Sequence, residues 1–237
     1  MVWTFAADTS TSMGSLALFK NNQLVDSTSW SSEKSHSEKI TVEAQIILKK
    51  NNLTWSDIDQ YAVSVGPGSF TGIRVALNFI RTLAYSYDKP VYEINSLLVL
   101  AAPALAQNRK VLCLQSAFRN LIYCASYELS QQKLDSTLEE ILPVAAIEIE
   151  QLKDRLDGKI KSSTLVLGLG FSIFQQDFDT KLLSLFNRDP DLSDFPHAKN
   201  ISILLNLTSP LVSKMSWSET KPLYIRASEA EEKLKNN

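Results

Sequence analysis

The order of strand-like and helix-like segments predicts an α/β protein built from two lobes of related topology. Three observations carry this. The first hundred residues read as β-β-β-α-β-α, the alternation of strands and helices restarts near Lys110, and the glycine-rich stretch "SVGPGSFTGIRVAL" (Ser64–Leu77) joins a strand to a helix. The chain has 237 residues, 44% of them apolar, a length that permits one large domain or two small ones, either of which can bury a core. The boundary falls after residue 107, giving lobes 1–107 and 108–237, with the last segment, from about residue 222, expected to return to the first lobe.

The elements follow in order. "VWTFAAD", "SLALF" and "LVDSTSW" are short strands joined by the turn-forming clusters "TSTSMG" and "KNNQ", the pattern of an antiparallel meander. A helix follows, capped by Ser35 or Ser37 with Glu38 in its first turn. Its stripe is Ile40, Ala44, Ile47 and Leu48, and it ends at Lys49-Lys50 and Asn51-Asn52. "QYAVSV" is continuously apolar, as in a strand buried on both faces. The helix after the glycine loop carries Ile73, Ala76, Leu77, Ile80, Leu83 and Ala84 on one stripe and stops at Lys89-Pro90. "VYEI" is a strand, and Ser96 is expected to cap "LLVLAAPALAQ".

In the second half "KVLCLQS" and "NLIYCASYEL" form a hairpin about "AFR", "AIEIEQLKDRL" reads as a short amphipathic helix, and "STLVLGLG" as a strand running into a glycine turn. "NRDPDLSDFPHAKN" is loop-like, "ISILLNLTSPLVSKM" reads as a helix broken at Pro210, and "KPLYIR" as a last strand before a charged tail.

Bulk properties narrow the function. The net charge of −2 provides no global field to hold RNA or a membrane surface. No apolar run approaches the roughly 20 residues of a membrane span. The N-terminus lacks the basic and apolar regions of a signal peptide, so a cytoplasmic protein without a membrane partner is expected. The two cysteines, Cys113 and Cys124, sit in apolar strands and read as buried thiols.

The loop "GPGSFTG" is not a P-loop, because Gly72 is followed by Ile73 and not by Lys-Ser/Thr. Its G-x-G-x-x-x-G spacing also misses the dinucleotide fingerprint. Two readings remain. Gly66 and Gly68 make a tight turn into a helix capped by Ser69, or the loop, with Thr71 and the first helical amides, faces a phosphate. Asp8, Thr9 and Ser10, at the end of the first strand, either hold phosphate or a hydrated metal or form a hairpin turn. A two-histidine metal site on the first helix is excluded, since His36 is followed four residues on by Ile40. No nucleophile elbow or hydrolytic dyad stands out.

The ordered set "AADTSTSMGSLALF", "HSEKI…IL", "VGPGSFTGIRVAL", "LIYCASY", "VLGLG" and "PLYIR" resembles the TsaB/YeaZ family, with "GPGSFTGIR" the most specific element. The resemblance rests mainly on the first hundred residues. It implies an actin/Hsp70/sugar-kinase-like (ribonuclease H-like) fold. It further implies a non-catalytic subunit that pairs with a TsaD-like catalytic paralogue and is joined by a TsaE-like ATPase. That assembly transfers threonylcarbamoyl to N6 of adenosine 37 in ANN-decoding tRNAs, and tRNA is met through the complex. No cofactor is assigned to this chain, with ATP or ADP left open at a composite interface, and no metal.

The resemblance places the partner contact on the two helices after "HSE" and "GPGSFTG". The candidate residues are His36, Glu38, Val42, Ile46, Arg74, Val75, Asn78 and Phe79, of which Val42, Ile46, Val75 and Phe79 lie off the main apolar stripes. The same helices would make a homodimer when the partner is absent. The alternative is a stand-alone nucleotide-binding phosphoryl-transfer enzyme of the same superfamily, gripping nucleotide with Asp8 and Gly66–Thr71. The sequence departs from the family where an Asp-Ala-Arg-like turn is expected: "QSAFRNLIY" has Ser116 at the Asp position, Phe118 near the Arg position and Arg119 one residue late.

Overall fold

The computed structural model describes residues 1–31, 35–117, 120–132, 135–160, 163–207 and 209–225. A six-stranded sheet and a four-stranded sheet organise them. The first is built from β1 (Trp3–Asp8), β2 (Met13–Lys20), β3 (Gln23–Ser31), β4 (Gln60–Ser64), β5 (Val91–Ile94) and β10 (Val212–Met215), in the order β10-β5-β4-β1-β2-β3. β1, β2 and β3 form the expected antiparallel meander, while β4 and β5 join in parallel through helical crossovers.

Alternation along the central strands decides what each face of this sheet meets. Phe5 and Ala7 of β1, with Leu16 and Leu18 of β2, face α1 (His36–Lys50) and α2 (Phe70–Tyr87). Ala6, Ala17 and Phe19 face the opposite layer, which holds α3 (Ser96–Ala106). α1 buries the predicted stripe, Ile40, Ala44, Ile47 and Leu48, and Ser35 accepts the Ser37 amide at its start. α2 buries Ile73, Ala76, Leu77, Ile80 and Ala84, with Leu83 half-buried, and Ser69 accepts the Gly72 amide. α3 is apolar on all sides and almost wholly buried between the two sheets. Each leucine it buries is worth about 1.5–3 kcal/mol. Its cap is Asn95, one residue before the expected Ser96, because the Ser96 hydroxyl is engaged by the Gly66 amide.

The second sheet has the order β8-β7-β6-β9, with β6 (Val111–Ser116), β7 (Leu121–Gln132), β8 (Asp135–Glu148) and β9 (Leu165–Leu167). Cys113 and Cys124 lie on opposite faces of it, buried and free, and burial raises both thiol pKa values. The short helices α4 (Leu152–Leu156), α5 (Leu169–Phe174) and α6 (Thr180–Leu183) belong with its outer core, and α7 (Ile201–Leu205) packs on α3.

Three further expectations are corrected. Residues 146–156 are not one helix: β8 continues to Glu148, because Ala145, Ala146, Ile147 and Glu148 pair in register with Cys124, Tyr123, Ile122 and Leu121. β8 itself has a polar first half that gave no strand signal. The stretch 201–215 is not a broken helix. After α7, Val212–Met215 is extended because it completes the sheet antiparallel to β5. "KPLYIR" is not a strand over its described residues, 221–225; Leu223 donates one backbone bond to the Val65 carbonyl at 2.7 Å. The "AFR" turn, with Phe118 and Arg119, and the charged tail lie outside the described residues.

Candidate functional site: a closed glycine junction and an open helix face

β1 and β4 are parallel neighbours, so their carboxyl ends deliver Asp8–Thr11 and Val65–Ser69 to the same edge. This is where ligands bind in open α/β sheets. Here the two loops are closed on each other. The Ser69 amide donates to the Ser10 carbonyl at 2.7 Å. The Thr9 hydroxyl donates to the Gly72 carbonyl at 2.6 Å and accepts the Ala76 amide at 3.1 Å. The Gly72 amide is held by Ser69 Oγ at 3.2 Å and the Ile73 amide by the Ser69 carbonyl at 2.8 Å.

The glycines follow from this closure. A Cβ on Gly68 would lie 2.2 Å from the Ser10 carbonyl oxygen, and one on Gly72 2.1 Å from that of Thr9. What approaches the loop backbone so closely is the chain's own first loop. The Gly66–Pro67 peptide is cis, and Gly66 is bound through both backbone groups to Ser96.

Asp8 is fully buried at the centre of this junction. Its Oδ1 accepts the Ser10 amide and hydroxyl, both at 2.9 Å, while Oδ2 has no hydrogen-bond partner. Burial raises its pKa, against the opposing effects of the nearby Ser64 hydroxyl, the Ser10 groups and His36. Ser64 Oγ is not itself in hydrogen-bond geometry with a partner.

Beside the junction lies an open hollow of about 340 Å³ lined by Thr11, Ser12, Ser35, His36, Ser69, Thr71, Gly72 and Val75. His36 has both ring nitrogens committed. Trp30 Nε1, which can only donate, donates to Nδ1 at 3.2 Å, so Nε2 carries the proton and donates to the Thr11 carbonyl at 2.8 Å. A two-histidine metal site does not fit here: His36 has no free lone pair, and Ile40, where a second ligand would stand, is buried in the core.

The helix residues have a different character. Val42 and Ile46, one turn apart on α1, are 54% and 53% exposed. Glu38 precedes them by one turn on α1 and is also exposed. α2 packs against α1. On it Asn78 is exposed, while Val75 and Phe79 are half-buried against the core, Phe79 edge-to-face with Trp55 at 5.9 Å. Arg74 is exposed but engaged: its Nε donates to Tyr224 Oη at 2.7 Å and its guanidinium lies 3.8 Å over the Phe70 ring.

That last contact exposes what sequence reasoning missed. The segment 216–225 runs along α2. Tyr224 stacks on Phe70 at 4.7 Å, Trp217 meets Tyr85 at 4.8 Å, and the Trp217 carbonyl accepts Arg81 Nε at 3.1 Å. The signal present in the sequence was the pair of four-residue steps on α2, Phe70/Arg74 and Arg81/Tyr85, facing two aromatic residues near the C-terminus.

Among the described residues, no helix is long and apolar enough to cross a membrane. The family model for TsaD, tRNA N6-adenosine threonylcarbamoyltransferase, matches residues 30–234. A relative from Buchnera aphidicola subsp. Schizaphis graminum, described as tRNA threonylcarbamoyladenosine biosynthesis protein TsaB, is 29% identical over 198 residues, 83% of this chain and 89% of the relative. A TsaB of Haemophilus influenzae is 26% identical over 226 residues, 93% of this chain and 92% of the relative. The solved structure of YeaZ from Pseudomonas aeruginosa has the same fold, with a TM-score of 0.75 at 22% identity, covering 94% of this chain and all of that one. With a family model spanning most of its length and TsaB proteins aligned along it, the chain belongs to the TsaB/YeaZ group of the TsaD family.

Proposed function

We propose that this chain is a non-catalytic subunit of the tRNA threonylcarbamoyladenosine pathway, which holds and activates a TsaD-like catalytic partner through the exposed face of α1 and the neighbouring side of α2. The observation that carries the reading is the contrast between Ile40, Ala44, Ile47 and Leu48, all buried, and Val42 and Ile46, both more than half exposed on the same helix. Two large exposed aliphatic side chains one turn apart, with exposed Glu38 one turn before them, make the apolar centre and polar rim of a protein interface. Family membership supports the partner class: the TsaD family model matches this chain over residues 30–234.

A catalytic role for this chain is not favoured. His36 is spent on Trp30 and Thr11, and the α2 amides of Gly72 and Ile73 are spent on Ser69. An adenine nucleotide used by the assembly is accordingly held across an interface and not by this glycine loop. A TsaE-like ATPase joins the pair, tRNA is met through the complex, and two copies of this chain use the same α1 face when the partner is absent.

The test is reconstitution with a TsaD-like partner, with mass measurement and a threonylcarbamoyl-transfer assay. A stable heterodimer that supports transfer, with neither activity nor metal dependence in this chain alone, is the expected result. Transfer by the isolated chain overturns the proposal, and so does failure to co-elute with the cognate partner.

A further inference from the structure

We infer a phosphate-binding site at the edge of the first sheet, in the hollow between β2, β3 and residues 197–199. It is independent of the partner reading, since it lies on the face of the sheet opposite α1.

The register creates it. Ser15 pairs with Ser29 and Ala17 with Ser27, and antiparallel partners present their side chains on the same face. Three serine hydroxyls therefore share one face, while the alternate residues Leu16 and Leu18 enter the core under α1. The segment after "FPH" lies across that face: the Ala198 amide donates to Ser15 Oγ at 2.9 Å, and Ala198 is fully buried. Because Ser15 Oγ is the acceptor in that bond, its own proton remains to be donated. His197 and Lys199, on either side of Ala198, close a hollow of about 80 Å³ lined by Ser15, Ser27, Ser29, Leu16 and Thr28.

The chemistry selects an oxyanion. The hollow offers hydroxyl donors, one ammonium and one imidazole whose ring is held by Ser193 Oγ at 3.0 Å from Nε2. The acidic groups nearby are turned away or neutralised. Asp26 is taken by Lys50 and Asn51, Glu43 accepts from the Thr28 hydroxyl on the α1 side, and Asp194 is paired with Arg188. Burial, and then the Lys199 charge, depress the His197 pKa, so the positive charge at neutral pH rests on Lys199. The volume holds several water molecules. That suits the five heavy atoms of a phosphate but not a nucleoside. β3 is the edge strand, so an ester substituent leaves past it into solvent.

The test is calorimetric titration of the full chain with inorganic phosphate and with ribose 5-phosphate at constant ionic strength. Saturable binding is expected for at least one. Lys199→Ala should weaken it about tenfold, the loss of one charge-assisted contact. Ser29→Ala should weaken it less, and Lys49→Ala, at the end of α1 on the other face, should leave it unchanged. Tighter binding of ribose 5-phosphate identifies a phosphomonoester as the ligand, and tighter binding of inorganic phosphate identifies the free ion. Absence of saturable binding of either compound overturns the site, as does undiminished affinity in Lys199→Ala or equal loss in Lys49→Ala.

Discussion

The glycine junction and the outer face of α1 both belong to the first sheet and its helices and make opposite use of their chemistry. The junction is rich in groups that could serve a ligand, yet it spends them on itself: Thr9 on Gly72 and Ala76, Ser10 on Ser69, Ser69 on Gly72. The α1 face has nothing chemically reactive, yet it leaves Val42 and Ile46 in solvent at a cost the fold does not require. The difference teaches that a motif dense in glycine and hydroxyls can be a structural clasp, while the proposed partner surface rests on a plain aliphatic pair at the wrong helical phase.

The comparison is sharpened most by attacking the open face. Replacing Val42 and Ile46 together by Asp should lower affinity for the TsaD-like partner about a hundredfold or more, as loss of a hot-spot pair does. Because both are exposed, the denaturation midpoint of the isolated chain should hardly move. A binding isotherm unchanged by the double variant would remove α1 from the interface.

The next effect is expected in the clasp and has the opposite signature. Gly68→Ala puts a methyl group 2.2 Å from the Ser10 carbonyl oxygen, and the forced separation of the two loops should cost about 1–3 kcal/mol. Chemical denaturation would read this directly. A variant as stable as the parent would mean that the loops are not in contact. Thr9→Val keeps the shape but removes the hydroxyl that bridges the Gly72 carbonyl and the Ala76 amide, with an expected loss of about 0.5–1.5 kcal/mol.

The smallest effect is carried by Asp8. Its folded pKa is raised above 3.8 by burial, so its protonated form contributes stability that is fully present below that value and lost as pH rises through the folded pKa. Asp8→Asn, which mimics the protonated form, should match the parent in acid and exceed it in melting temperature at neutral pH. Parallel melting curves from pH 4 to 8 would show that Asp8 titrates as an ordinary solvated carboxyl.

Much of the first lobe was legible in the sequence because its signals are local. The α1 stripe and its Ser35 cap, the α2 stripe and its Ser69 cap, and the meander turns each follow from residue spacing over one or two turns. The second half was less legible for the same reason. The polar start of β8 becomes a strand only because β7 offers it a pairing edge, and Val212–Met215 is extended only because β5 is open beside it. Stripe phase alone separated Val42 and Ile46 from the core of α1. It did not show that Phe79 leans back on Trp55, or that Arg74 is held by Tyr224 from 150 residues away.

By itself, then, the sequence determined the two-lobe α/β class, the helices with their caps and faces, and the absence of a two-histidine site on α1. Spacing and residue type govern all three. Only the tertiary structure decided what lies against the glycines of "GPGSFTG". Whether a loop backbone is approached by a ligand or by its own chain depends on where β1 ends relative to β4, a distance set by strand pairing that no local pattern encodes.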